Sequence, residues 1–210
     1  LYTSQIIPSN ITPSVIEPSV NKTSFFPKNT INKKMKTIGF IAYSVEDPNK
    51  NFEDFIHVFD QLNLRQPIHA IVAGNALPTT QALHAKKNIT FIGPIDPLDT
   101  KDFYQNIDLL IIPSTSESFG LTSVEAQFCG TPVVAYRHGG LPETILEGYT
   151  GYVSATNRES LVATALQGVS LKFQFSPEVK RFLSQYETSK INEKYLSLYS
   201  SIIDENQLLC

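Results

Sequence analysis

The sequence predicts an α/β fold: a Rossmann-like, doubly wound parallel sheet of about six strands with helices on both faces. Short runs of consecutive apolar residues recur along the chain without polar/apolar alternation, which is typical of parallel strands buried on both faces. Amphipathic stretches with helical spacing separate these runs. Regular alternation of strand and helix favours a sheet with right-handed crossovers.

Six segments, each three to six residues long, are predicted to be strands. They are residues 38–42, 68–73, 89–92, 109–112, 132–136 and 151–153. Three helices are predicted from apolar stripes over residues 52–62, 161–169 and 191–203. The first of these stripes follows a helix-start signal at Asp47, Pro48 and Asn49.

The first 34 residues differ in composition from the rest of the chain. Pro8, Pro13, Pro18 and Pro27 interrupt a stretch rich in Ser, Thr and Asn. No helical or alternating period survives this spacing, so an extended linker is expected over residues 1–34. Residues 35–185 are then predicted to form the α/β domain, and residues 186–210 a C-terminal helix.

Composition and charge exclude several classes of protein. The formal net charge of −3 over 210 residues gives no basic excess for binding nucleic acid. Two cysteines, Cys129 and Cys210, make no disulfide framework and favour a reducing compartment. No apolar run approaches the ~18 residues of a membrane span, and no signal peptide is recognisable, so we expect a cytoplasmic protein. The histidines show no metal-ligand spacing, and no metal is expected.

Residues 112–153 carry the pattern that is most informative about function. A strand is predicted to end at Pro113, and after a polar loop a helix begins near Phe119 and stops at Gly130. The first amides of such a helix lack intrahelical acceptors and lie at the carboxyl edge of the sheet, where doubly wound sheets bind ligands. Together with the helix dipole they suit a phosphate or diphosphate. Gly120 would let a ligand approach the backbone closely.

Two carboxylates bracket this anion site. Glu117 precedes the predicted helix and Glu125 lies within it. Carboxylates accept hydrogen bonds from hydroxyl groups, so this pair could hold the two sugars of a nucleotide diphosphate sugar. Taken alone, the spacing is equally that of a first-turn acid favoured by the dipole and a solvated helix residue.

A longer ordered pattern surrounds these two acids. It comprises Glu117, Phe119-Gly120, Glu125-Ala126, residues 129–134, Gly139-Gly140, Pro142-Glu143 and Thr150-Gly151. This pattern resembles the donor-site signature of the retaining GT-B glycosyltransferases of family 4, or group 1. So many elements in order are more specific than a short motif. The resemblance implies the C-terminal half of a GT-B fold, so the acceptor-binding N-terminal domain would lie outside this chain.

The resemblance also implies a role for each matching residue. Glu117 would be the catalytic residue that contacts the sugar hydroxyls of the donor, Glu125 would bind the ribose, Lys50 the diphosphate, and the backbone of Ile95 the base. The diphosphate and hexose would be held by main-chain amides of Ser118, Phe119, Gly120, Leu121 and Thr122. One departure is Ser44, which stands where the family usually has an arginine that binds the diphosphate.

The leading hypothesis is therefore the donor domain of a glycosyltransferase. Its substrate would be a UDP- or GDP-linked sugar, with no further cofactor, and the chain without its N-terminal partner domain would transfer little sugar. Contact with the inner face of a membrane would come only through that missing half. Two alternatives remain open at this point: a GT-B sugar-nucleotide epimerase and a non-catalytic, flavodoxin-like regulatory or interaction module.

Overall fold

A computed structural model describes residues 14–27 and 35–207, with side chains through residue 203. Its six strands are β1 Lys36–Ser44, β2 Ile68–Asn75, β3 Ile89–Gly93, β4 Leu109–Ile112, β5 Val133–Tyr136 and β6 Gly151–Ser154. They form one sheet in the order β3-β2-β1-β4-β5-β6, and every neighbouring pair is parallel. The predicted fold class and all six predicted strands are confirmed.

Seven α-helices are found among the described residues. They are α1 Phe52–Asn63, α2 Pro78–His84, α3 Thr100–Asn106, α4 Leu121–Phe128, α5 Arg158–Ser170, α6 Pro177–Ser184 and α7 Thr188–Gln207. The three predicted stripes lie on α1, α5 and α7. The sequence analysis did not assign α2, α3 or α6. Seven residues give α2 and α3 only about two turns in which a stripe can repeat. Helix α6 does carry a signal, since Ser176 caps it and Val179 and Leu183 are buried one turn apart.

Two hydrophobic cores cover the two faces of the sheet. On β5, Val134 and Tyr136 enter the core under α1 and α5, whereas Val133 and Ala135 enter the core under α3 and α4. All four of these strand residues are buried. Because successive side chains of a strand point to opposite faces, the double burial explains why the strands show no polar/apolar alternation.

The strand order reverses between β1 and β4, which lie side by side in the middle of the sheet. Chain connections leave this point in opposite directions, so the loops after the two strands diverge and open a crevice at their carboxyl ends. The loop after β1 leads through a 3-10 turn, Pro48–Lys50, into α1. The loop after β4 leads into α4.

The described part of the N-terminal segment, residues 14–27, contains no helix and packs against the junction of α6 and α7. Val20 is buried, and its amide donates a hydrogen bond to the Tyr186 carbonyl at 2.7 Å. On α7, Ile191 is buried, whereas Tyr195 and Tyr199 stack on each other and are exposed. The predicted positions in residues 1–13, 28–34 and 208–210 lie outside the described residues. Within residues 14–27 and 35–207, no helix is long and apolar enough to cross a membrane.

His84 is a buried polar side chain with a cost to stability. It ends α2, is only 5% exposed and meets the Phe52 ring edge-on at 5.8 Å. Within the described part of the chain, neither ring nitrogen has a hydrogen-bond partner. Burial lowers the pKa of the imidazole below its usual value. The unfolded chain therefore binds the proton first, and stability is lost as the pH falls below about 6.5.

We expect His84→Leu to raise the free energy of unfolding by about 1–3 kcal/mol at pH 7.5, because it removes unsatisfied polar atoms. The gain should grow between pH 6.5 and pH 5, where the wild-type chain is destabilised and the variant is not. Urea unfolding of the two proteins at pH 7.5 and at pH 5 measures this difference in the free energy of unfolding. Equal pH dependence in the two proteins would contradict the role assigned to His84.

Candidate functional site

The loops after β1 and β4 are tied together across the crevice. The side-chain amide of Asn51 donates to the Pro113 carbonyl at 2.9 Å and to Thr115 Oγ1 at 3.3 Å. In return, the Thr115 amide donates to the Asn49 carbonyl at 2.9 Å. These bonds fix the distance between two loops that the topology would otherwise let diverge.

Asn51 is also the residue at which the backbone turns from the 3-10 turn into α1. Its φ of 49° is the only positive φ of a non-glycine residue among those that the structure describes. Asparagine tolerates this left-handed region better than most residues with a side chain. The turn is further held by Asp47, whose side chain accepts from the Asn49 amide at 2.9 Å. The outcome is that Lys50, just before Asn51, faces the loop after β4.

Lys50 reaches across the crevice to Glu117. The Nζ atom of Lys50 lies 2.8 Å from Oε2 of Glu117, and the two side chains are 28% and 21% exposed. The structure thus brings together two of the predicted site residues, one from each loop, at the point where the strand order reverses. A cation and a carboxylate that are partly shielded from water interact more strongly than the same pair on an open surface.

The backbone amides after Glu117 are free. Helix α4 begins at Leu121, two residues later than predicted, because Gly120 is its N-cap with a φ of 97°. The first amide to use an acceptor is that of Ser123, which donates to the Gly120 carbonyl at 2.9 Å. Among the described residues, none of the amides of Ser118, Phe119, Gly120, Leu121 and Thr122 has a hydrogen-bond acceptor. A row of unsatisfied donors at a helix start can bind an anion.

A second loop supports this row from behind. The Gly140 amide donates to the Glu117 carbonyl at 3.3 Å, and a Cβ at Gly139 would lie 1.8 Å from the same oxygen. Only glycine permits so close a backbone approach. At Gly120 the space that a Cβ would take is occupied by Leu141 Cδ2, at 2.7 Å. Its positive φ and this packing both require glycine at position 120.

Glu125 lies one turn into α4 and meets Tyr104 of α3. The Tyr104 hydroxyl donates to Oε2 of Glu125 at 2.8 Å. Burial raises the pKa of the Glu125 carboxyl, and the bond from Tyr104 counteracts part of that rise. A half-buried carboxylate with one oxygen already bound can orient a hydroxyl group on its other oxygen.

Two further positions singled out in the sequence are Ile95 and Ser44. The side chain of Ile95 packs on the core under α3 and α4, while its amide and carbonyl have no hydrogen-bond partner within the described residues. Ser44 ends β1, and its hydroxyl contacts Glu46. Glu46 in turn accepts from the Leu77 amide at 2.8 Å, so this corner holds an acid rather than the usual arginine. Arg137, after β5, is exposed.

Sequence reasoning missed two residues that shape the site, Asn51 and Tyr104. A positive φ at Asn51 cannot be inferred from residue types, although asparagine directly before an apolar helix is a weak signal for it. Tyr104 sits on one of the short helices without a readable stripe, and its contact with Glu125 joins residues 21 positions apart.

Comparison with known proteins adds the following findings. Residues 21–171 match the family described as Glycosyl transferases group 1. The chain is 31% identical over 182 residues to a D-inositol 3-phosphate glycosyltransferase of Corynebacterium efficiens, which covers 79% of this chain and 42% of that protein. The chain spans less than half the length of the curated relatives it matches.

Two solved structures share the fold. Anabaena HepE, solved in complex with UDP and glucose, superposes with a TM-score of 0.69 at 22% identity, over 90% of this chain and 56% of that one. The C-terminal domain of the group 1 family protein LpcC from Francisella tularensis superposes with a TM-score of 0.58 at 22% identity. That alignment covers 84% of this chain and 98% of the LpcC domain.

We expect Asn51→Ala to destabilise the chain more than Asn51→Gly. Both variants lose the two side-chain bonds to the β4 loop. The left-handed backbone costs the alanine variant about 1 kcal/mol of stability in addition, whereas glycine adopts it freely. Urea unfolding should place Asn51→Ala at least about 1 kcal/mol below Asn51→Gly. The reverse order would show that the left-handed turn at this position costs nothing.

Proposed function

We propose that this chain, which belongs to the glycosyl transferases of group 1, holds the nucleotide-sugar donor of a retaining glycosyltransferase. The observation that carries the proposal is the convergence of Lys50, Glu117 and the free amides of residues 118–122 at the reversal point of the sheet. A ligand with a diphosphate between two sugars needs cationic and main-chain donors for its phosphates and acidic acceptors for its sugar hydroxyls, and these groups meet at that point. HepE, which shares the fold, was solved with UDP and glucose.

The diphosphate would be bound by the amides and Lys50. Negative charge builds up on the leaving diphosphate as the sugar departs, and fixed donors aimed at that charge stabilise the transition state. The amides need no reorganisation, because the Gly139-Gly140 loop already holds the backbone that carries them. Lys50 would move from Glu117 to the diphosphate, which frees Glu117 to accept from the hydroxyl groups of the donor sugar.

The remaining donor contacts follow the geometry of the crevice. Glu125 would accept from the ribose hydroxyls, and the unpaired amide and carbonyl of Ile95 would contact the base. Because backbone contacts to a base leave no side-chain code in the sequence, the base is not assigned, and both UDP and GDP are used as probes of this site.

The acceptor would be bound by an N-terminal domain outside this chain. The proposal is supported by the share of the relatives that the chain spans and by the near-complete match to the C-terminal domain of LpcC. Helix α7 also leaves an apolar face exposed, with Leu196 at 67%, Tyr199 at 57% and Ile203 at 56%. Such a face suits packing against a further domain, and membrane contact would belong to that domain as well.

We expect Lys50→Ala to weaken UDP or GDP binding by about 10- to 100-fold, because a charge-assisted bond to the diphosphate is lost. Lys36→Ala is the matched control. Lys36 also pairs with a carboxylate, Asp108 at 3.2 Å, but at the amino end of β1 on the opposite edge of the sheet. Its removal should change nucleotide affinity by less than about twofold, since exposed pairs contribute little. Titration calorimetry measures the affinity of the wild-type chain and of the two variants for UDP and GDP.

If the wild-type chain binds neither nucleotide at millimolar concentration, the proposal is wrong. The non-catalytic α/β module would then be the better interpretation of this fold. Equal losses for the two lysine variants would show that general charge, rather than the crevice, governs binding.

The 210-residue chain is expected to bind nucleotide without transferring sugar. A second domain would position the acceptor, and positioning supplies a large part of the rate in group transfer. Incubation with UDP- and GDP-linked sugars, followed by chromatography of the released nucleotide, tests this. Turnover well above the spontaneous rate would place a complete active site within this chain.

A further inference from the structure

The contact between Tyr104 and Glu125 points to a residue that acts through another. We propose that Tyr104 is a positioning residue. Its hydroxyl fixes the Glu125 carboxylate so that the free carboxylate oxygen, Oε1, accepts a hydrogen bond from the ribose of the bound nucleotide. The inference rests on the proposed function. It is carried by the 2.8 Å bond from the Tyr104 hydroxyl to Oε2 of Glu125, the link between α3 and α4 at this site.

Tyr104 is held more firmly than the carboxylate that it contacts. Its side chain is fully buried, and its ring packs against those of Phe103 at 5.5 Å and Phe25 at 6.3 Å between ring centroids. Its carbonyl accepts a bond from Thr131 Oγ1 at 2.7 Å, which anchors the last turn of α3. Glu125, by contrast, is only half-buried and has several rotatable bonds. The tyrosine therefore limits the orientations that are open to the glutamate.

The chemistry of the pair leaves a defined acceptor for a ligand. An ionised carboxylate has about four acceptor positions and no donor, and Tyr104 occupies one position on Oε2. Oε1 has no hydrogen bond within the described residues and can accept from a ribose hydroxyl. Burial raises the pKa of the Tyr104 hydroxyl far above its usual value, so the proton stays on tyrosine and the bond keeps one direction.

A second buried tyrosine offers a matched control. The Tyr136 hydroxyl donates to Oδ2 of Asp54 at 2.7 Å, within the other core of the sheet. Asp54 is also paired with Arg158, and the proposed donor site uses none of these three residues. Tyr136→Phe and Tyr104→Phe thus make the same chemical change, the loss of one hydroxyl that donates to a carboxylate. Only the second change lies beside the proposed ribose position.

The experiment compares a nucleoside diphosphate with its 2′-deoxy analogue by titration calorimetry, using UDP or GDP, whichever binds more tightly. The wild-type chain is expected to prefer the ribonucleotide by about tenfold, the size of one charge-assisted hydrogen bond. Glu125→Gln and Tyr104→Phe should both reduce this ratio to about twofold or less, with the affinity for the deoxy analogue nearly unchanged. Tyr136→Phe should lower the melting temperature and leave the ratio at its wild-type value.

The outcomes separate this inference from the function on which it rests. A ratio that falls in Glu125→Gln but persists in Tyr104→Phe assigns Tyr104 a structural role only, while nucleotide binding still supports the donor site. Nucleotide binding with a wild-type ratio near one also overturns the inference. If the wild-type chain binds no nucleotide, the donor site and the inference fail together. Should Tyr104→Phe unfold at the assay temperature, the titrations of all four proteins are repeated at a lower temperature at which circular dichroism shows it to be folded. A wild-type ratio in folded Tyr104→Phe contradicts the inference.

Discussion

The whole site depends on the bridge that Asn51 makes between the loops after β1 and β4. A doubly wound sheet opens a crevice where its strand order reverses, but the same reversal sends the two loops in opposite directions. Asn51, in a left-handed conformation, turns the chain into α1, and its side-chain amide donates both of its hydrogen bonds to the opposite loop. Together with the bond from the Thr115 amide to the Asn49 carbonyl, this bridge holds the two loops that carry Lys50 and Glu117 next to each other.

The fold could be predicted from the sequence because burial on both faces leaves a clear signature. Val133, Val134 and Ala135 are apolar in succession since each faces one of two cores, and the neighbouring strand β4 is likewise buried throughout. The seven-residue helices α2 and α3 left no comparable signature. The start of α4 was misplaced by two residues because a glycine N-cap in a left-handed conformation looks, in sequence, like any loop glycine.

The candidate site could be predicted only in part. Lys50, Glu117, Glu125 and Ile95 were named through a family resemblance, and the structure brings Lys50 and Glu117 into direct contact. The partners of these residues were not found, because tertiary contacts such as that between Tyr104 and Glu125 leave no local pattern. The packing of Leu141 against Gly120 was not foreseen, because the two residues lie in different loops.

The loop that carries Gly139 and Gly140 contacts the row of free amides mainly through its backbone, and Leu141 Cδ2 fills the space at Gly120. A side chain at Gly139 or Gly140 would meet main-chain atoms of Glu117, Ser118 or Phe119, so it could be accommodated only by moving that backbone. The shapes of the two loops are therefore coupled, and neither backbone can change without the other.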